Sequence, residues 1–200
     1  MKKGRNMKKI FSILTVLCVL ASAVFAQSDG QGDEYIDDYV YEQNGAGDQL
    51  LSINLGANFP LNFDGQLYPG ASASIAYYRF LTNTIAVGGD LIIGYNVTVG
   101  KKALVTVPVT AGVIFQPYTG KFEFPLSAGI GFATTSCQGL TYFPSFAAKL
   151  SGGAYYRISE GWSAGLNAIC YWIPEWFPSK PEQNDNGFFL STVIGIRYHF

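Results

Sequence analysis

The final segment of the chain, residues 188–200, alternates between two unlike sets of side chains. Counting back in twos from the last residue gives a set that is apolar except for one threonine: Phe200, Tyr198, Ile196, Ile194, Thr192, Leu190 and Phe188. The intervening set is mostly small and polar: His199, Arg197, Gly195, Val193, Ser191 and Phe189. Because successive side chains of a β-strand point to opposite faces, the segment is predicted to be a strand with one apolar and one largely polar face.

The same alternation recurs in seven earlier runs, which are separated by turn residues such as Gly, Pro, Asn and Ser. The predicted strands cover residues 51–59, 71–80, 85–97, 105–115, 122–132, 146–156 and 162–172. In the second run two sets compete for the apolar face, and we assign Ala71, Ala73, Ile75 and Tyr77 to it. Together with the final segment, the runs predict an all-β fold, an eight-stranded antiparallel up-and-down barrel over residues 49–200.

The composition of the two faces distinguishes a membrane barrel from a soluble one, which alternates in the same way with its apolar set turned inward. The polar sets are mostly Gly, Ser, Thr, Asn and Ala, whereas a face in water would carry many Lys, Glu and Asp. The apolar sets contain no charged residue, and an Arg or Lys facing lipid costs about 2–4 kcal/mol at the bilayer midplane. Aromatic residues gather near both ends of the runs, like interfacial girdles. A transmembrane β-barrel is therefore predicted.

Two prolines and two connections carry specific expectations. Pro108 and Pro125 fall inside predicted strands of a closed sheet, which has no edge strand, so each is expected at a bulge or a strand end near a membrane interface. A loop is predicted around Cys137 and Pro144, and the longest loop is predicted at residues 173–187.

Residues 1–26 have the pattern of a cleavable signal peptide, with basic residues, an apolar core at 10–20 and small residues before Gln27. The core is too short for a retained transmembrane helix. Leu17 before Cys18 disfavours a lipoprotein site, because the residue at that position is usually small. Five of the 13 Lys and Arg residues lie in this segment, whereas all 14 acids follow it. The mature chain is therefore acidic and lacks the basic patch that a nucleic-acid partner requires.

Residues 27–48 are predicted to form a flexible acidic tail in the periplasm. The tail has no Lys or Arg and carries half of the acids: Asp29, Asp33, Glu34, Asp37, Asp38, Glu42 and Asp48. It is too short and too charged to bury a core of its own. A docking peptide or a weak divalent-cation site is the alternative, although the spacing lacks the order of a calcium loop.

The alternating runs, the turns between them and the final Phe200 resemble the small eight-stranded outer-membrane β-barrel proteins of the OmpA, OmpX and OmpW kind. The resemblance implies a monomer in the outer membrane of a Gram-negative type of envelope, in contact with lipid. The connections after the second, fourth and sixth runs are short and those after the first, fifth and seventh are longer, which places both termini in the periplasm. The resemblance also implies that the closing strand, with Ile196, Tyr198 and Phe200, is the signal read by the insertion machinery. Residues 77–89 are similar to the second periplasmic hairpin of OmpW-like barrels, which frames a hydrophobic lumen with a lateral exit.

Five charged residues fall on the inward-facing positions of their predicted strands: Asp90, Glu123, Lys149, Arg157 and Arg197. Ions in a barrel interior carry a heavy desolvation cost unless they are paired. Glu123, Arg157 and Arg197 lie near the same ends of their strands, so we expect one cluster. Asp90 and Lys149 lie further along strands that face each other across the barrel, and we expect them to pair. We interpret the five as a lumen charge network.

The sequence offers little catalytic chemistry. Its one histidine, His199, lies at the predicted periplasmic rim, whereas a lipid-modifying barrel enzyme needs a histidine-containing site at the outer-leaflet rim. We therefore expect no enzyme activity, no cofactor and no metal site, and a lumen-facing His199 that hydrogen-bonds inside the barrel. Two functions remain possible from the sequence. The first is a narrow porin-like conduit or pocket for small apolar solutes, since Gly-rich inward-facing sets would leave a narrow space in the lumen. The alternative is a structural or surface-interaction (adhesin-like) barrel with a closed lumen.

Overall fold

The structure is a computed structural model that describes residues 44–63, 65–138, 140–175 and 185–200. The predicted signal peptide, the tail up to residue 43 and most of the predicted longest loop lie outside these residues. Within the described ranges, no helix is both long enough and apolar enough to cross a membrane.

Ten strands follow one another within the described residues, and two of them contain only two residues. They are β1 (Gln49–Pro60), β2 (Leu67–Phe80), β3 (Ile85–Thr98), β4 (Ala103–Phe115), β5 (Tyr118–Thr119), β6 (Phe122–Glu123), β7 (Leu126–Cys137), β8 (Leu140–Ser159), β9 (Trp162–Glu175) and β10 (Asp185–His199). The long strands pair in the order β8-β7-β4-β3-β2-β1-β10-β9, and β8 pairs with β9 to close the sheet. The predicted fold class, an eight-stranded antiparallel up-and-down barrel, is confirmed.

The last strand, β10, closes the barrel against the first. The β1–β10 register runs without interruption from Leu50 opposite His199 to the far end of β1. Beyond it, the N–H of Gln49 donates to the Phe200 carbonyl at 2.7 Å, and the N–H of Phe200 donates back to Gln49 at 3.0 Å. The first and last residues of the barrel's chain therefore lie at one rim, here called the terminal rim. The opposite rim is called the far rim.

The alternation in sequence separates an apolar exterior from a buried interior. On the exterior, Leu55 is 63 % exposed and Ile194 is 67 % exposed. On the interior, Asn58 and Ser191 are fully buried. A closed sheet with so many exposed large apolar side chains presents the surface expected of a lipid-facing wall.

Aromatic rings pack against one another at both rims, at positions predicted for the girdles. Near the terminal rim, the ring centres of Trp162 and Tyr198 lie 4.8 Å apart, and those of Tyr198 and Phe200 lie 5.4 Å apart. Near the far rim, Trp172 stacks on Phe188 at 6.1 Å. Trp and Tyr favour the boundary between lipid and water because their rings combine apolar surface with a polar group.

The prediction for Pro108 is wrong. Pro108 lies in the middle of β4, opposite Ala133 of β7, rather than at a bulge or a strand end. The β3–β4 register is the same on either side of it, but Ile92 and Ile93 of β3 have no paired partner on β4. Because proline has no N–H to donate, β4 accommodates it by losing two pairings with β3. We call this local loss of pairing the β3–β4 break.

The prediction for Pro125 is confirmed, since this residue lies between β6 and β7 at the start of the long strand. β6 and β7 pair with β8 in a single register, so they are two parts of one strand interrupted at Pro125. The turn between β5 and β6 lies at Gly120 and Lys121. Gly120 adopts a φ of 55°, which a glycine tolerates without steric cost.

The two strands β7 and β8 extend further than predicted. Instead of lying in a loop, Cys137 is the last residue of β7 and pairs with Leu140, the first residue of β8. Pro144, also predicted in the loop, lies within β8. Residues 134–136 are Thr, Thr and Ser, so the apolar alternation stops there. The pairing of β7 with β8 nevertheless resumes at Thr135, after a register shift between Ala133 and Thr135. Threonine is well suited to a strand, and pairing does not require a lipid-facing side chain.

Candidate functional site

The lumen at the terminal rim holds a buried charge cluster, here called the base cluster, formed by Glu123, Arg157 and Arg197. Arg157 Nη1 donates to Glu123 Oε1 at 2.7 Å, and Arg197 Nη1 lies 3.8 Å from Glu123 Oε2. Glu123 is fully buried, and neither arginine side chain is more than 5 % exposed. The carboxylate between two guanidinium groups offsets part of the cost of removing each charge from water. These are the three residues that were predicted to form one cluster.

Strand positions explain how the base cluster forms. Arg157 of β8 and Arg197 of β10 both lie opposite Ser163 of β9. Because serine is small, the two long side chains find space above it in the lumen. Glu123 reaches them from β6, and the Arg197 guanidinium also lies 3.5 Å from the centre of the Tyr155 ring. This cation–π contact fixes the orientation of the guanidinium group.

Two polar partners of the base cluster were not predicted. Gln116 Oε1 accepts a hydrogen bond from Arg197 Nη1 at 3.0 Å, and Asn44 Oδ1 accepts one from Arg157 Nη1 at 3.4 Å. Gln116 occupies an inward-facing position just after β4, so a search for polar as well as charged inward residues would have found it. Nothing in the composition of the acidic tail indicated that Asn44 would be buried.

His199 links Asn44 to Ser163. Its Nε2 lies 3.0 Å from Ser163 Oγ, and its Nδ1 lies 3.2 Å from Asn44 Oδ1. A serine, a histidine and an orienting group in this order resemble the arrangement of serine hydrolases. However, Ser163 is 0 % exposed and His199 only 7 %, so a substrate has no access to the serine hydroxyl. The three side chains form a hydrogen-bonded network inside the lumen.

A second charge contact, here called the mid-lumen pair, lies further from the terminal rim. Lys149 Nζ contacts Asp90 Oδ2, and the Tyr78 hydroxyl donates to the same oxygen. Lys149 Nζ also donates to the Tyr78 hydroxyl at 3.2 Å. The side chains of Lys149 and Asp90 are 2 % and 11 % exposed. Their strands, β8 and β3, are not neighbours in the sheet, so the contact extends across the lumen and obstructs it.

Tyrosine rings occupy the space that inward glycines provide. A Cβ added at Gly94 would lie 2.5 Å from the Tyr171 hydroxyl and 2.6 Å from Thr106 Oγ1. A Cβ added at Gly195 would lie 2.7 Å from the Tyr155 hydroxyl. Because these rings come from strands that are not adjacent to the glycines, the glycines allow the barrel to be filled from within. The Gly-rich inward sets leave no open pocket at these positions.

The half of the lumen nearer the far rim contains a polar layer and then an apolar one. Asn58 Nδ2 donates to Asn96 Oδ1 at 2.8 Å, and Ser191 Oγ donates to Asn58 Oδ1 at 3.0 Å. Tyr171 stacks on Phe189 with 5.1 Å between ring centres. The buried apolar cluster around these rings, here called the far-rim cluster, also contains Leu67, Ile92, Ala133, Ala147, Ile169, Ile173 and Val193.

A small cavity of about 20 Å³ lies between the mid-lumen pair and Arg197. Tyr78, Asp90 and Asn167 line it together with other polar and apolar side chains. Asn167 Oδ1 is buried and has no hydrogen-bond partner in the described part of the chain. A space of this size holds about one water molecule, which would satisfy such an oxygen.

The residues predicted to be read by the insertion machinery lie on the exterior of the closing strand. Ile196 is 55 % exposed, Tyr198 40 % and Phe200 53 %.

In the described ranges, no group of three or more His, Cys, Asp or Glu side chains is arranged to hold a metal ion.

A protein-family model matches residues 29–198, which include every strand of the barrel apart from the final residue of β10. The chain belongs to this family. Two relatives, both described as uncharacterized proteins, come from Treponema pallidum (strain Nichols). The first is 27 % identical over 178 residues, covering 80 % of this chain and 80 % of the relative. The second is 23 % identical over 157 residues and covers 72 % of this chain, and the matched region spans about half (54 %) of that relative's length.

Solved structures show the same fold at low sequence identity. Neisserial surface protein A (NspA) is 14 % identical with a TM-score of 0.59, and the match covers 78 % of this chain and 99 % of NspA. OprG, an outer membrane protein from Pseudomonas aeruginosa, is 12 % identical with a TM-score of 0.53, and the match covers 79 % of this chain and 98 % of OprG. The predicted resemblance to small eight-stranded outer-membrane β-barrels is therefore confirmed for the fold.

Proposed function

We propose that the protein is an integral outer-membrane β-barrel whose lumen is closed to ions and hydrophilic solutes, and that it acts as a structural or surface-interaction barrel. The observation that carries this proposal is the filling of the lumen at three levels. These levels are the base cluster, the mid-lumen pair and the stacked rings of Tyr171 and Phe189. An eight-stranded barrel is only just wide enough for its own side chains, so each level obstructs most of the cross-section.

The outer membrane as location is supported by two independent features. The exterior is a continuous apolar wall with aromatic rings at both rims, which suits lipid. The closing strand presents Ile196, Tyr198 and Phe200 on that exterior, where insertion machinery could read them. The pattern of residues 1–26 adds the expectation of a cleavable signal peptide, which a protein exported to that membrane needs.

Solute uptake by vesicles tests the closed lumen. Purified protein is reconstituted into liposomes, and swelling is followed in solutions of small neutral sugars, with a general-diffusion porin as the positive control. We expect swelling no faster than in protein-free liposomes, because a hydrated sugar cannot displace buried ion pairs. Swelling that increases in proportion to the amount of folded barrel would contradict the proposal.

A second candidate function, a sideways conduit for small apolar solutes, is favoured by the β3–β4 break. Ile92, which lacks a paired partner on β4, belongs to the far-rim cluster, and Ala133 of that cluster lies opposite Pro108. The β3–β4 break is therefore adjacent to an apolar part of the lumen. A small apolar molecule that displaced the aromatic rings would have a short path to the membrane there.

Restoring the missing donor tests this second candidate. Pro108→Thr supplies an N–H at the break, whereas Pro125→Thr supplies one at the interruption between β6 and β7 and serves as the matched control. The rate at which a small apolar fluorophore crosses vesicles with lipopolysaccharide in the outer leaflet is measured. A conduit predicts a protein-dependent rate that Pro108→Thr lowers and Pro125→Thr leaves unchanged. A parent rate equal to that of protein-free vesicles would exclude the conduit.

A further inference from the structure

Residues 44–48, here called the plug segment, fold back beneath the terminal rim ahead of β1. A tight turn is formed by Asp48, whose N–H donates to the Gly45 carbonyl at 3.2 Å and whose Oδ2 accepts the Gly45 N–H at 2.7 Å. The segment is attached to the end of β2, because Gly47 N–H donates to the Phe80 carbonyl at 2.9 Å and Phe80 N–H donates to the Asp48 carbonyl at 2.8 Å.

The turn directs one side chain into the lumen. Asn44 is 1 % exposed, although it belongs to a segment with the composition of a solvated tail. Its Oδ1 accepts from Arg157 Nη1 at 3.4 Å and lies 3.2 Å from His199 Nδ1. A buried amide with two such contacts is costly to remove, because the arginine and the histidine would each lose a partner.

We propose that the plug segment is a closure device for the terminal rim, held in the lumen by the Asn44 amide. When Asn44 leaves the lumen, Ser163 and the base cluster become accessible to water from the terminal rim. The device has two separable parts. The first is the side-chain contact at Asn44, and the second is the backbone turn, which requires Gly47 at a φ of 104°. A side chain at that φ is strained, so either part can be weakened without changing the other.

Thiol labelling measures the opening directly. In a full chain whose native cysteines are serine, Ser163→Cys places a thiol at a position that is 0 % exposed. A water-soluble, membrane-impermeant thiol reagent is added to folded protein in lipid vesicles, and the labelling rate is measured. Ser159→Cys, at the exposed end of β8, is the matched control for reagent access. Only protein that keeps its heat-modifiable mobility on gels, the mark of a folded barrel, is scored.

Three plug variants give distinct expectations. Asn44→Leu keeps the size of the side chain but removes both polar contacts of the amide, so labelling at position 163 should rise by on the order of tenfold or more. Asn44→Asp keeps an acceptor for Arg157 and should leave the rate within about twofold of the parent. Gly47→Val strains the turn and should accelerate labelling without touching the base cluster. Labelling of Ser159→Cys should not change in any of them.

Two results would overturn the proposal. Fast labelling at position 163 in the parent would show that the rim is already open. Equal, slow labelling in Asn44→Leu and Gly47→Val would show that the plug segment does not control access. The labelling experiment can fail independently of the proposed function, which rests on the closed lumen. Swelling of liposomes in sugar solutions by the parent would refute the proposed function, whereas the ratios of labelling rates would still report on the plug segment.

Discussion

Replacing Glu123 by glutamine removes the carboxylate that lies between Arg157 and Arg197 while keeping the volume of the side chain. In the parent, Glu123 Oε1 accepts from Arg157 at 2.7 Å and its Oε2 lies 3.8 Å from Arg197. All three side chains are almost completely buried, so water does not screen their interaction. In the variant, the two guanidinium groups repel each other with a neutral amide between them.

The magnitude follows from the cost of breaking a buried ion pair by removing one partner, which is about 3–5 kcal/mol. A glutamine oxygen can still accept one hydrogen bond from Arg157, and Gln116 still accepts one from Arg197 at 3.0 Å. We therefore expect a loss of about 3 kcal/mol, at the lower end of that range. Glu123→Ala should cost more, because it also leaves a cavity.

Equilibrium unfolding by urea in lipid vesicles, followed by tryptophan fluorescence, measures this loss. Glu160→Gln, in the exposed turn between β8 and β9, is the matched control and should change the free energy of unfolding by less than about 0.5 kcal/mol. Combining Glu123→Gln with Arg157→Gln should cost less than the sum of the single changes, since the second removes a charge that the first left unpaired. Equal stability of Glu123→Gln and the parent, or strict additivity, would refute the role assigned to the base cluster.

Three further variants test other parts of the barrel by the same unfolding measurement. Lys149→Met should destabilise by about 3–5 kcal/mol by leaving Asp90 unpaired, and adding Asp90→Asn should recover part of that loss; no recovery would argue against the mid-lumen pair. Leu91→Arg on the exterior should cost about 2–4 kcal/mol if that wall faces lipid near the midplane, and an unchanged midpoint would count against it. Gly94→Ala should destabilise because its Cβ meets the Tyr171 hydroxyl at 2.5 Å, and Tyr171→Phe should reduce the penalty; an additive pair would show that the space is not shared.

The features that the sequence predicted are those imposed by lipid and by the two-residue period of a strand. A lipid-facing wall tolerates no charge, so Ile53, Leu55 and their counterparts on the other strands indicated the exterior directly. Once the exterior was assigned, the inward position of Glu123 and Lys149 followed from parity, and the cost of burying ions implied that they pair. The strand positions then determined which charges could meet.

Features that depend on more than one strand were not predictable in this way. The position of Pro108 depends on whether β3 can lose two pairings, which the sequence of β4 does not encode. The filled lumen depends on Tyr171 reaching the space at Gly94 from a distant strand, so the glycine alone suggested an empty pocket. Asn44 is buried through a turn held by the end of β2, and no periodic pattern marks a turn of this kind.

Ionic conductance in planar lipid bilayers tests the closed lumen most directly. Folded protein is inserted from detergent at neutral pH, and insertion is verified by recovering heat-modifiable protein from the same preparation. Because the base cluster, the mid-lumen pair and the far-rim cluster each obstruct the lumen, we predict no stepwise current above that of the protein-free bilayer. A steady channel of uniform conductance in the unmodified protein would contradict the account.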